Sequence, residues 1–487
     1  MSAENGRKTS RVETLETEIV IIGGGGSGLA AAVAAAEKGA KVIVLEKRHA
    51  LGGNSVFAEG LFAAESPAQK RMMIDARKDK LFRLAMDYAH WKINPKIIWA
   101  FLNKSGDTIR WLEEKGLRFD WIPALYFNQV PLVWHCLKKG GAGIVELLTK
   151  DCENLGVRIL RDTAVKRILM SEKGGVAGVL SEAKKTPVRT LCRAVVVATG
   201  GYPGNTELLK TYCPSYTEED RCVGIPHTGD GLLMAMDVGA ATEGLGLLHL
   251  NGPRPFGSIH LTAVAQEPNT IWVNQRGERF TDETIADGRG NAIHTQPGKV
   301  SYTLFDEKIK QGYVEDGLIK GLGVVYVPQR TKLTELDKEL REEADQGRVR
   351  IAHSWDKIAG WVGADPRILK ATIDEYNSFC DHGYDAMFDK DRRCLFPLRD
   401  PPYYAIKCHS TFLGTIGGIK INHHMEVLNH QDGPIPGLYA VGVDTGGWEW
   451  DTYCLALSGT TFGFAISSGR IAGENAVAYL SGPRQER

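Results

Sequence analysis

Residues 19–46 read IVIIGGGGSGLAAAVAAAEKGAKVIVLE. The apolar run Ile19–Ile22 predicts a strand, and the four glycines after it predict a tight turn. The alanine-rich stretch from Gly28 to about Glu37 predicts a helix, and Val42–Leu45 predicts a second strand. This order of strand, turn, helix and strand indicates the opening unit of an α/β fold with a parallel sheet.

The glycines in this stretch have a spacing that serves phosphate binding. Gly23, Gly25 and Gly28 fit the pattern G-x-G-x-x-G, which combines a tight turn, a close approach to a pyrophosphate and close helix–strand packing. The N-terminus of the helix adds N–H groups and the positive end of its dipole. Glu46 follows the second strand, where a carboxylate binds ribose hydroxyls. The stretch therefore predicts a dinucleotide site.

Composition excludes several classes of protein. Among 487 residues, 59 basic side chains balance 59 acidic ones, so nothing indicates nucleic acid or an anionic membrane as a partner. No apolar run reaches the ~20 residues of a membrane span. The nine cysteines are scattered without a C-x-x-C pair, which predicts reduced thiols in the cytoplasm and no metal site.

The rest of the chain predicts a two-part domain. Ala194–Val197 reads as a buried strand that runs into glycines, and Gly140 opens a helix toward Asn154. From about residue 251 the sequence contains more proline and longer loops, and Asp365-Pro366 is typical of a helix start. Sheet character returns near residue 413, and a last helix runs from Thr460 to about Tyr479. We therefore expect a flexible tail, a nucleotide-binding domain in two parts and an inserted domain, with the bounds 1–16, 17–250 and 413–487, and 251–412.

Four segments occur in an order that resembles the fumarate reductase/succinate dehydrogenase flavoprotein family, which includes the 3-ketosteroid dehydrogenases. They are residues 19–46, Gly52-Gly53-Asn54-Ser55, Ala198-Thr199-Gly200-Gly201, and the segment from Gly437 to Gly447. The resemblance covers about residues 17 to 480. It implies a Rossmann-like FAD-binding domain split by an inserted capping domain, with the substrate between the cap and the flavin.

The resemblance also implies a set of flavin-binding residues. They are Gly23, Gly25, Gly26, Ser27, Gly28, Glu46, Lys47, Gly52, Gly53, Asn54, Ser55, Gly60, Ala164, Val165, Ala198, Thr199, Gly200, Asp230, Gly442, Asp444, Ser458, Gly459 and Thr460. The family's usual glutamate after the last strand is Val443 here, and Asp444 is the neighbouring candidate. Members with covalent flavin carry a histidine in the loop that reads Asn54-Ser55-Val56 here, so we expect noncovalent FAD.

In fumarate reductases a set of charged residues binds the dicarboxylate and delivers a proton to it, and most of these positions hold other residues here. The two histidine positions fall on Asn251 and Gly414, the carboxylate-binding arginine on Tyr453, and the proton-relay glutamate and arginine on Ala263 and Gln266. The proton-donating arginine has one candidate, Arg289, if two residues are skipped. Two buried carboxylates without charged partners would each carry a desolvation cost of several kcal/mol. We therefore expect fumarate and succinate to be poor substrates of this chain.

Aromatic and neutral residues take the place of the lost charges. We expect a lining of Trp448, Trp450 and Tyr453, with Tyr126 and Trp134 as further candidates, which suits a larger, mostly uncharged, ring-bearing molecule. The 3-ketosteroid dehydrogenases likewise use tyrosines beside the flavin. The candidate catalytic residues are Tyr453, Arg289, Tyr126, His249 and His409. A structural role is the alternative for Tyr453, His249 and His409, and a surface ion pair is the alternative for Arg289.

The sequence therefore predicts an FAD oxidoreductase that adds or removes hydrogen across a C–C bond next to a carbonyl. The chain has a single dinucleotide fingerprint and no second one for NAD(P)H. We therefore expect a small-molecule substrate and a separate electron carrier or quinone that exchanges electrons with the flavin. Three alternatives remain open. They are a reductase of a small unsaturated carboxylic acid, a non-redox hydratase or isomerase that keeps FAD, and an electron-transfer subunit.

Overall fold

The computed structural model describes residues 13–125, 131–285 and 288–482. Within them the strands are β1 Glu13–Glu16, β2 Ile19–Ile22, β3 Val42–Leu45, β4 Gly60–Phe62, β5 Trp134–Cys136, β6 Arg158–Leu160, β7 Thr163–Met170, β8 Val176–Ala183, β9 Thr186–Leu191, β10 Ala194–Val197, β11 Arg221–Cys222, β12 Thr242–Leu250, β13 Ile271–Val273, β14 Val300–Asp306, β15 Val349–Ala352, β16 Tyr403–His409, β17 Thr411–Ile419, β18 Glu426–Leu428 and β19 Pro434–Ala440.

The α-helices of the same residues are α1 Gly26–Glu37, α2 Pro67–Arg71, α3 Lys78–Tyr88, α4 Pro95–Glu114, α5 Gly140–Asn154, α6 Thr206–Tyr212, α7 Asp230–Asp237, α8 Ile259–Val264, α9 Arg289–His294, α10 Glu307–Glu315, α11 Leu336–Asp345, α12 Trp355–Val362, α13 Pro366–His382 and α14 Thr460–Leu480. Short 3-10 turns span Gly53–Phe57, Pro297–Lys299, Arg392–Cys394, Gly442–Asp444 and Leu455–Leu457.

A six-stranded sheet forms the centre of the fold, in the order β18-β19-β10-β2-β3-β6. All neighbours in it are parallel except β18 and β19. Strands β2, β3 and β10 are buried along their whole length, because a parallel sheet is covered on both faces, and their Val, Ile and Leu residues suit that position. The predicted α/β class is confirmed.

Helices α1 and α14 pack closely on one face of this sheet. A Cβ at Gly469 would meet the Ser27 carbonyl oxygen at 2.2 Å, and a Cβ at Gly473 would meet that of Ala31 at 2.4 Å. Only glycine permits this approach of one helix to the backbone of the other. The contact fixes α1, and therefore the glycine turn before it, against the C-terminal part of the chain.

The inserted segment has its own sheet and hydrophobic core. Strands β13-β14-β16-β15 form a four-stranded sheet, and a cluster of buried residues between Leu261 and Cys408 packs around it. Strand β12 leads into the segment and β17 leads out of it, and the two pair antiparallel, with Leu250 opposite Phe412. The insertion therefore begins and ends at adjacent strands, although the exact bounds 251–412 stay a prediction.

The structure corrects one boundary and confirms several local predictions. Residues 13–16, predicted to belong to a flexible tail, form strand β1, which pairs in parallel with β9; residues 1–12 lie outside the described part. Helix α5 has its predicted bounds, and helix α13 begins as predicted, with the Asp365 side chain accepting a hydrogen bond from Arg367 N. Helix α1 starts two residues earlier than expected, at Gly26.

All nine cysteines are free thiols. In the described ranges no group of three or more His, Cys, Asp or Glu side chains could hold a metal ion. No helix of these residues combines the length and hydrophobicity required for a membrane crossing.

Candidate active site

One cavity of ≈ 550 Å³ extends from the glycine turn to the inserted segment. Its wall contains residues from the ends of β2, β3 and β10, from the 52–60 loop, from the start of α14, and from the segment 251–412. The ends of parallel strands near a glycine turn are the usual place for a ligand in an open α/β sheet. The cavity volume is in the range of small-molecule sites.

The glycine turn is shaped by close backbone contacts. Gly23 has φ +106°, a conformation that favours glycine, and a Cβ there would meet the Ala198 carbonyl oxygen at 2.3 Å. A Cβ at Gly28 would meet the Gly23 carbonyl oxygen at 2.0 Å, so Gly28 serves helix–strand packing and does not line the cavity. Helix α1 starts after Gly25 with no side-chain cap, and its N-terminus faces the cavity.

Glu46 stands at the end of β3 and lines the cavity. Its carboxylate accepts hydrogen bonds from Gly24 N and Arg48 N, both at 2.8 Å. These bonds fix the orientation of the side chain relative to the glycine turn. A carboxylate oxygen has two lone pairs, so an oxygen that already accepts one backbone N–H can still accept a hydrogen bond from a hydroxyl group.

The 52–55 loop is fixed by bonds to distant parts of the chain. Ser55 Oγ accepts from Gly26 N at 3.2 Å, and Asn54 Oδ1 accepts from Ile225 N at 2.7 Å. Both side chains line the cavity. Because they are held by backbone N–H groups, the loop presents a defined surface to a ligand.

Asp444 is used to hold the neighbouring turn. Its carboxylate accepts from the N–H groups of Thr199, Gly200 and Gly201 and from the Thr199 hydroxyl. Burial raises its pKa, although these bonds oppose the effect. The side chain does not line the cavity, whereas Val443 does. The Asp444 carboxylate is therefore engaged by the turn at 199–201, and its role toward the flavin stays a prediction.

Most of the predicted flavin-binding residues lie in the cavity wall. The exceptions are Gly28, Ala164, Asp444, Ser458 and Thr460. Ala164 lies in β7 between Thr163 and Val165, which both line the cavity, and successive side chains of a strand point to opposite faces. The Ser458 and Thr460 hydroxyls donate to the carbonyls of Leu455 and Leu457, which fixes the turn before α14.

Lys47 and Asp230 form an ion pair in the cavity wall. Lys47 Nζ lies 2.9 Å from Asp230 Oδ2 and also donates to the Thr228 hydroxyl. Burial disfavours the charged form of Asp230, but the bonds from Lys47 and Thr228 outweigh it and hold the pKa of Asp230 below its ordinary value. Both charged groups line the cavity.

Several wall residues were not predicted from the sequence. Near the flavin-binding loops they are Thr163, His227, Val443, Thr461, Phe462 and Ala465. Burial, followed by the charges of Lys47 and Arg48, lowers the pKa of His227 to about 4, so its imidazole is neutral at pH 7. His227 reaches the wall through a long loop, and no sequence motif marks it.

Tyr453 and His249 form one wall at the other end of the cavity. Their ring centroids are 4.4 Å apart, and both residues line the cavity. The Tyr453 hydroxyl accepts a hydrogen bond from Gly459 N at 2.5 Å. Burial lowers the pKa of His249 to about 4, so this histidine is a neutral group at pH 7.

Arg289 lies at the start of α9 with its side chain in the cavity wall. Its Nη2 donates to Gln266 Oε1 at 3.1 Å, and Gln266 Nε2 donates to the Pro253 carbonyl at 3.1 Å. The family's relay arginine position is thus a neutral amide that holds Arg289. Arg254 and Lys320, two further cations that were not predicted, line the same part of the cavity.

Three predicted residues lie elsewhere. His409 does not line the cavity; its ring lies 5.2 Å from that of Phe256. Trp448 stacks on Phe464, and Trp450 lies under the Lys92 ammonium, so neither reaches the cavity. Trp134 does line it. Tyr126 lies outside the described residues.

The rim of the cavity is apolar. Phe57, Ile259 and Tyr326 line it, and these three side chains are also exposed to solvent, by 53%, 41% and 48%. Exposed side chains of this size beside a cavity are typical of an entrance for an apolar ligand.

The fold and the cavity together define a dinucleotide-binding α/β protein whose cavity extends from the glycine turn to an inserted segment. The sequence model of the family described as "FAD binding domain" matches residues 18–453. The vinyl phenol reductase of Lactiplantibacillus plantarum is 31% identical over 95% of this chain and 96% of its own length. The urocanate reductase of Eggerthella lenta is 26% identical over 96% of this chain and 75% of its own length.

A solved structure of similar shape is the open conformation of a flavocytochrome c3 fumarate reductase. Its TM-score is 0.74 at 26% identity, and the match covers 96% of this chain and 79% of that one. The chain belongs to the fumarate reductase/succinate dehydrogenase flavoprotein family. It is an FAD-dependent oxidoreductase of a family that acts on carbon–carbon double bonds.

The residues present fit an FAD. Gly25, Gly53 and Gly414 line the cavity, and a Cβ at any of them would come no nearer than 3.8 Å to the atoms around it. Bare backbone therefore faces open space on several sides of the cavity, as a flat ring system and a pyrophosphate require. The N-terminus of α1 and the Glu46 carboxylate supply the polar groups that such a ligand needs.

Proposed function

We propose that this flavoprotein reduces a C=C bond conjugated to a carbonyl or a phenol ring in a mostly uncharged, ring-bearing substrate. The full-length similarity to a vinyl phenol reductase supports an aromatic alkene as the substrate class. A separate carrier or quinone supplies the electrons. When bound, FAD contributes a hydride at its N5 atom.

One observation carries the proposal. Asn251, Gly414, Tyr453 and Gln266 occupy four of the positions that treat dicarboxylates in fumarate reductases, and all four line the cavity. A dicarboxylate placed against these four residues would lose hydration, and none of the four supplies a charged bidentate partner that offsets the cost. A neutral substrate carries no such cost.

The rest of the wall suits a ring. Trp134 and the packed rings of Tyr453 and His249 offer aromatic surface, and the rim residues Phe57 and Tyr326 extend that surface to the solvent. Aromatic rings prefer offset or edge contacts with other rings, which adds ~0.5–1.5 kcal/mol per pair to the burial of apolar area.

The polar groups of the wall have distinct tasks in such a reaction. The Tyr453 phenol hydrogen-bonds a substrate oxygen, and the Arg289 guanidinium, held by Gln266, stabilises negative charge that develops on the substrate. Neutral His249 supports the Tyr453 ring. The apolar rim limits access of water once the substrate has entered.

A small unsaturated carboxylate is the second candidate substrate. Arg254, Arg289 and Lys320 all line the cavity, and a single carboxylate among them would find charged partners. The similarity to a urocanate reductase fits this class.

The two candidates are separated by a substrate panel. The holoenzyme is reduced with a viologen dye and offered 4-vinylphenol, a cyclic enone, urocanate, a cinnamate and fumarate, and the products are identified by mass. We expect the neutral alkenes to have kcat/KM values at least tenfold above those of the carboxylates. A preference for the carboxylates would establish the second candidate, and no product from any alkene would reject both.

A further inference from the structure

Helix α9 belongs to the inserted segment, yet it packs on the flavin-binding part of the chain. Near its start, a Cβ at Gly290 would meet Leu250 Cβ at 2.7 Å and the Asn251 carbonyl oxygen at 3.1 Å, so the helix lies directly on the end of β12. Arg289, one residue earlier, lines the cavity. A shift of this helix therefore moves the Arg289 guanidinium relative to the flavin-binding loops.

The other end of α9 is bound by a buried carboxylate. Asp220 directly precedes β11 in the flavin-binding part, and its side chain is fully buried. His294, the last residue of α9, has its Nδ1 atom 3.0 Å from Asp220 Oδ1 and 3.1 Å from Ser410 Oγ. The Ser410 hydroxyl donates to the same Asp220 oxygen at 2.8 Å. These bonds tie the end of the helix to the flavin-binding part.

Lys299 completes this buried group. It lies in the turn after α9, and its Nζ is 2.5 Å from Asp220 Oδ2 and also donates to the Ser215 carbonyl oxygen. The Thr217 N–H donates to Asp220 Oδ2 at 2.9 Å. Burial disfavours the charged form of Asp220, but the bonds from His294 and Lys299 outweigh it and hold the pKa of Asp220 at about 2. Asp220 is therefore a buried anion that binds residues on both sides of the junction.

The group lies behind the cavity and not in it. Asp220, His294, Lys299 and Ser410 are all absent from the cavity wall, so they do not contact a ligand there. Stability alone does not account for such a group, because apolar residues of similar volume often stabilise a fold as well as a buried ion pair does. Its directional bonds instead define one position of α9.

We propose that Asp220 is a positioning residue, which holds α9 through His294 and Lys299 so that the Arg289 guanidinium keeps its place in the cavity. This role rests on the proposed C=C reduction, in which Arg289 acts on the substrate. The helix has six residues and spans only ~9 Å. A displacement of ~1 Å near a reacting group can cost ~10²-fold in rate, so a bond at one end of this helix affects the reaction at the other.

The first test asks whether Asp220 acts through Arg289. Asp220→Asn keeps the shape of the side chain and removes its charge. The reduced holoenzyme is mixed with an alkene that reoxidises the wild type, and the single-turnover rate and the Kd of the substrate are measured. We expect the rate to fall by ~10- to 10²-fold and the Kd to change less than threefold, because Arg289 acts on charge that develops during the reaction. In an Arg289→Lys background the same substitution should cost less than threefold, because the group that Asp220 positions is gone.

The outcomes of this test are distinct. Equal losses in the two backgrounds would show that Asp220 only stabilises the fold, and an Asp220→Asn rate within threefold of the wild type would show no role at all; either result overturns the proposal. A wild-type enzyme that no alkene reoxidises would instead reject the proposed reduction. Glu218→Gln is the matched control and should behave as the wild type, because it removes an exposed carboxylate two residues from Asp220, paired with Lys210 at 2.8 Å. FAD content and the flavin spectrum check that each variant folds.

His294 provides a second pair of variants. His294→Asn can keep an N–H group near the position of Nδ1, whereas His294→Leu removes it. We expect the asparagine variant to react at least tenfold faster than the leucine variant, since only asparagine can still bind Asp220. Equal rates in the two variants would contradict the proposal.

A last measurement does not depend on turnover. Amide hydrogen exchange of the holoenzyme is read by mass spectrometry in peptides that cover α9 and in peptides that cover α13, a helix of the same inserted segment. In Asp220→Asn we expect exchange at least tenfold faster over α9 and unchanged over α13. Wild-type exchange over α9 in this variant would show that Asp220 does not hold the helix, whatever the substrate of the enzyme.

Discussion

At the scale of single residues, Tyr453 is the most informative position. Its ring packs on His249 and its hydroxyl contacts Gly459 N, so it has a structural role in addition to the proposed one. Tyr453→Phe keeps the ring and removes only the hydroxyl. If the phenol stabilises a developing oxyanion, the loss should slow the reaction with substrate by ~10²- to 10³-fold.

The measurement for Tyr453→Phe is the single-turnover rate of flavin reoxidation, together with the Kd of the substrate. We expect the rate to fall more than the affinity, because the bond strengthens as charge develops. An unchanged rate with an intact flavin spectrum would mean that Tyr453 only packs against the wall.

Glu46 should contribute to cofactor affinity. Its carboxylate is held by Gly24 N and Arg48 N at the mouth of the glycine turn. Glu46→Ala removes the proposed ribose ligand and should weaken FAD binding by ~1–3 kcal/mol, the cost of a lost hydrogen bond to a charged group. Titration of the apoprotein with FAD measures the Kd of the cofactor in the variant and in the wild type. Wild-type affinity in the variant would place the ribose contact elsewhere.

The 54–56 loop predicts a noncovalent flavin. It contains Asn54, Ser55 and Val56, and Asn54 is bonded to Ile225 N. With no histidine in this loop, acid precipitation of the holoenzyme should release yellow flavin into the supernatant. Flavin that remains in the pellet would show a covalent link through another side chain.

At the scale of elements, the 319–326 loop joins the inserted segment to the flavin-binding part. Glu59 makes three backbone bonds to it, and a Cβ at Gly323 would lie 2.1 Å from Glu59 Oε2. Glu59→Ala leaves these N–H groups without their acceptor. We expect faster amide hydrogen exchange at 324–326 and a loss of ~1–3 kcal/mol in the free energy of unfolding.

Two further variants sharpen this prediction. Gly323→Ala should produce the same faster exchange, because its methyl group would displace Glu59. Glu315→Ala, at an exposed position of α10, is the control and should leave exchange at 324–326 unchanged. Protection equal to that of the wild type in Glu59→Ala would show that the loop is held by other contacts.

Local elements could be predicted because their signals are local. The run Ile19–Ile22, the glycines and the alanines specify strand, turn and helix within a few residues of one another, and helices α5 and α13 carry their own start signals. The 319–326 loop has no such signal. Its conformation depends on hydrogen bonds to Glu267 and Glu59, which are distant in sequence, so Lys320 could not be recognised as a cavity residue.

Trp448 and Trp450 are the opposite case, because the sequence predicted them to line the cavity and the fold places them elsewhere. Both residues follow Gly446-Gly447, which the family resemblance places against the flavin, so an aromatic cavity wall was expected there. The fold provides a better partner for each, since Trp448 stacks on Phe464 of α14 and Trp450 packs under Lys92. Such pairings depend on which elements meet in three dimensions, which a single sequence does not specify.

At the scale of the whole molecule, the split fold is what creates the site. The chain leaves the flavin-binding part after β12 and returns at β17, so the inserted segment covers the cavity at the ends of the central strands. The sequence predicted this arrangement through the family resemblance. It did not predict that the covering segment brings three cations, Arg254, Arg289 and Lys320, into a cavity otherwise suited to a neutral ring.

The most direct test of the proposed function is anaerobic stopped-flow mixing of the reduced holoenzyme with single substrates. The return of the oxidised flavin absorbance is measured for 4-vinylphenol and for fumarate under identical conditions. We predict rapid reoxidation by 4-vinylphenol with formation of the ethyl product, and at least 100-fold slower reoxidation by fumarate. Reoxidation by fumarate at a rate typical of enzymes, ~10 per second, with no reaction of 4-vinylphenol, would contradict the proposed substrate class.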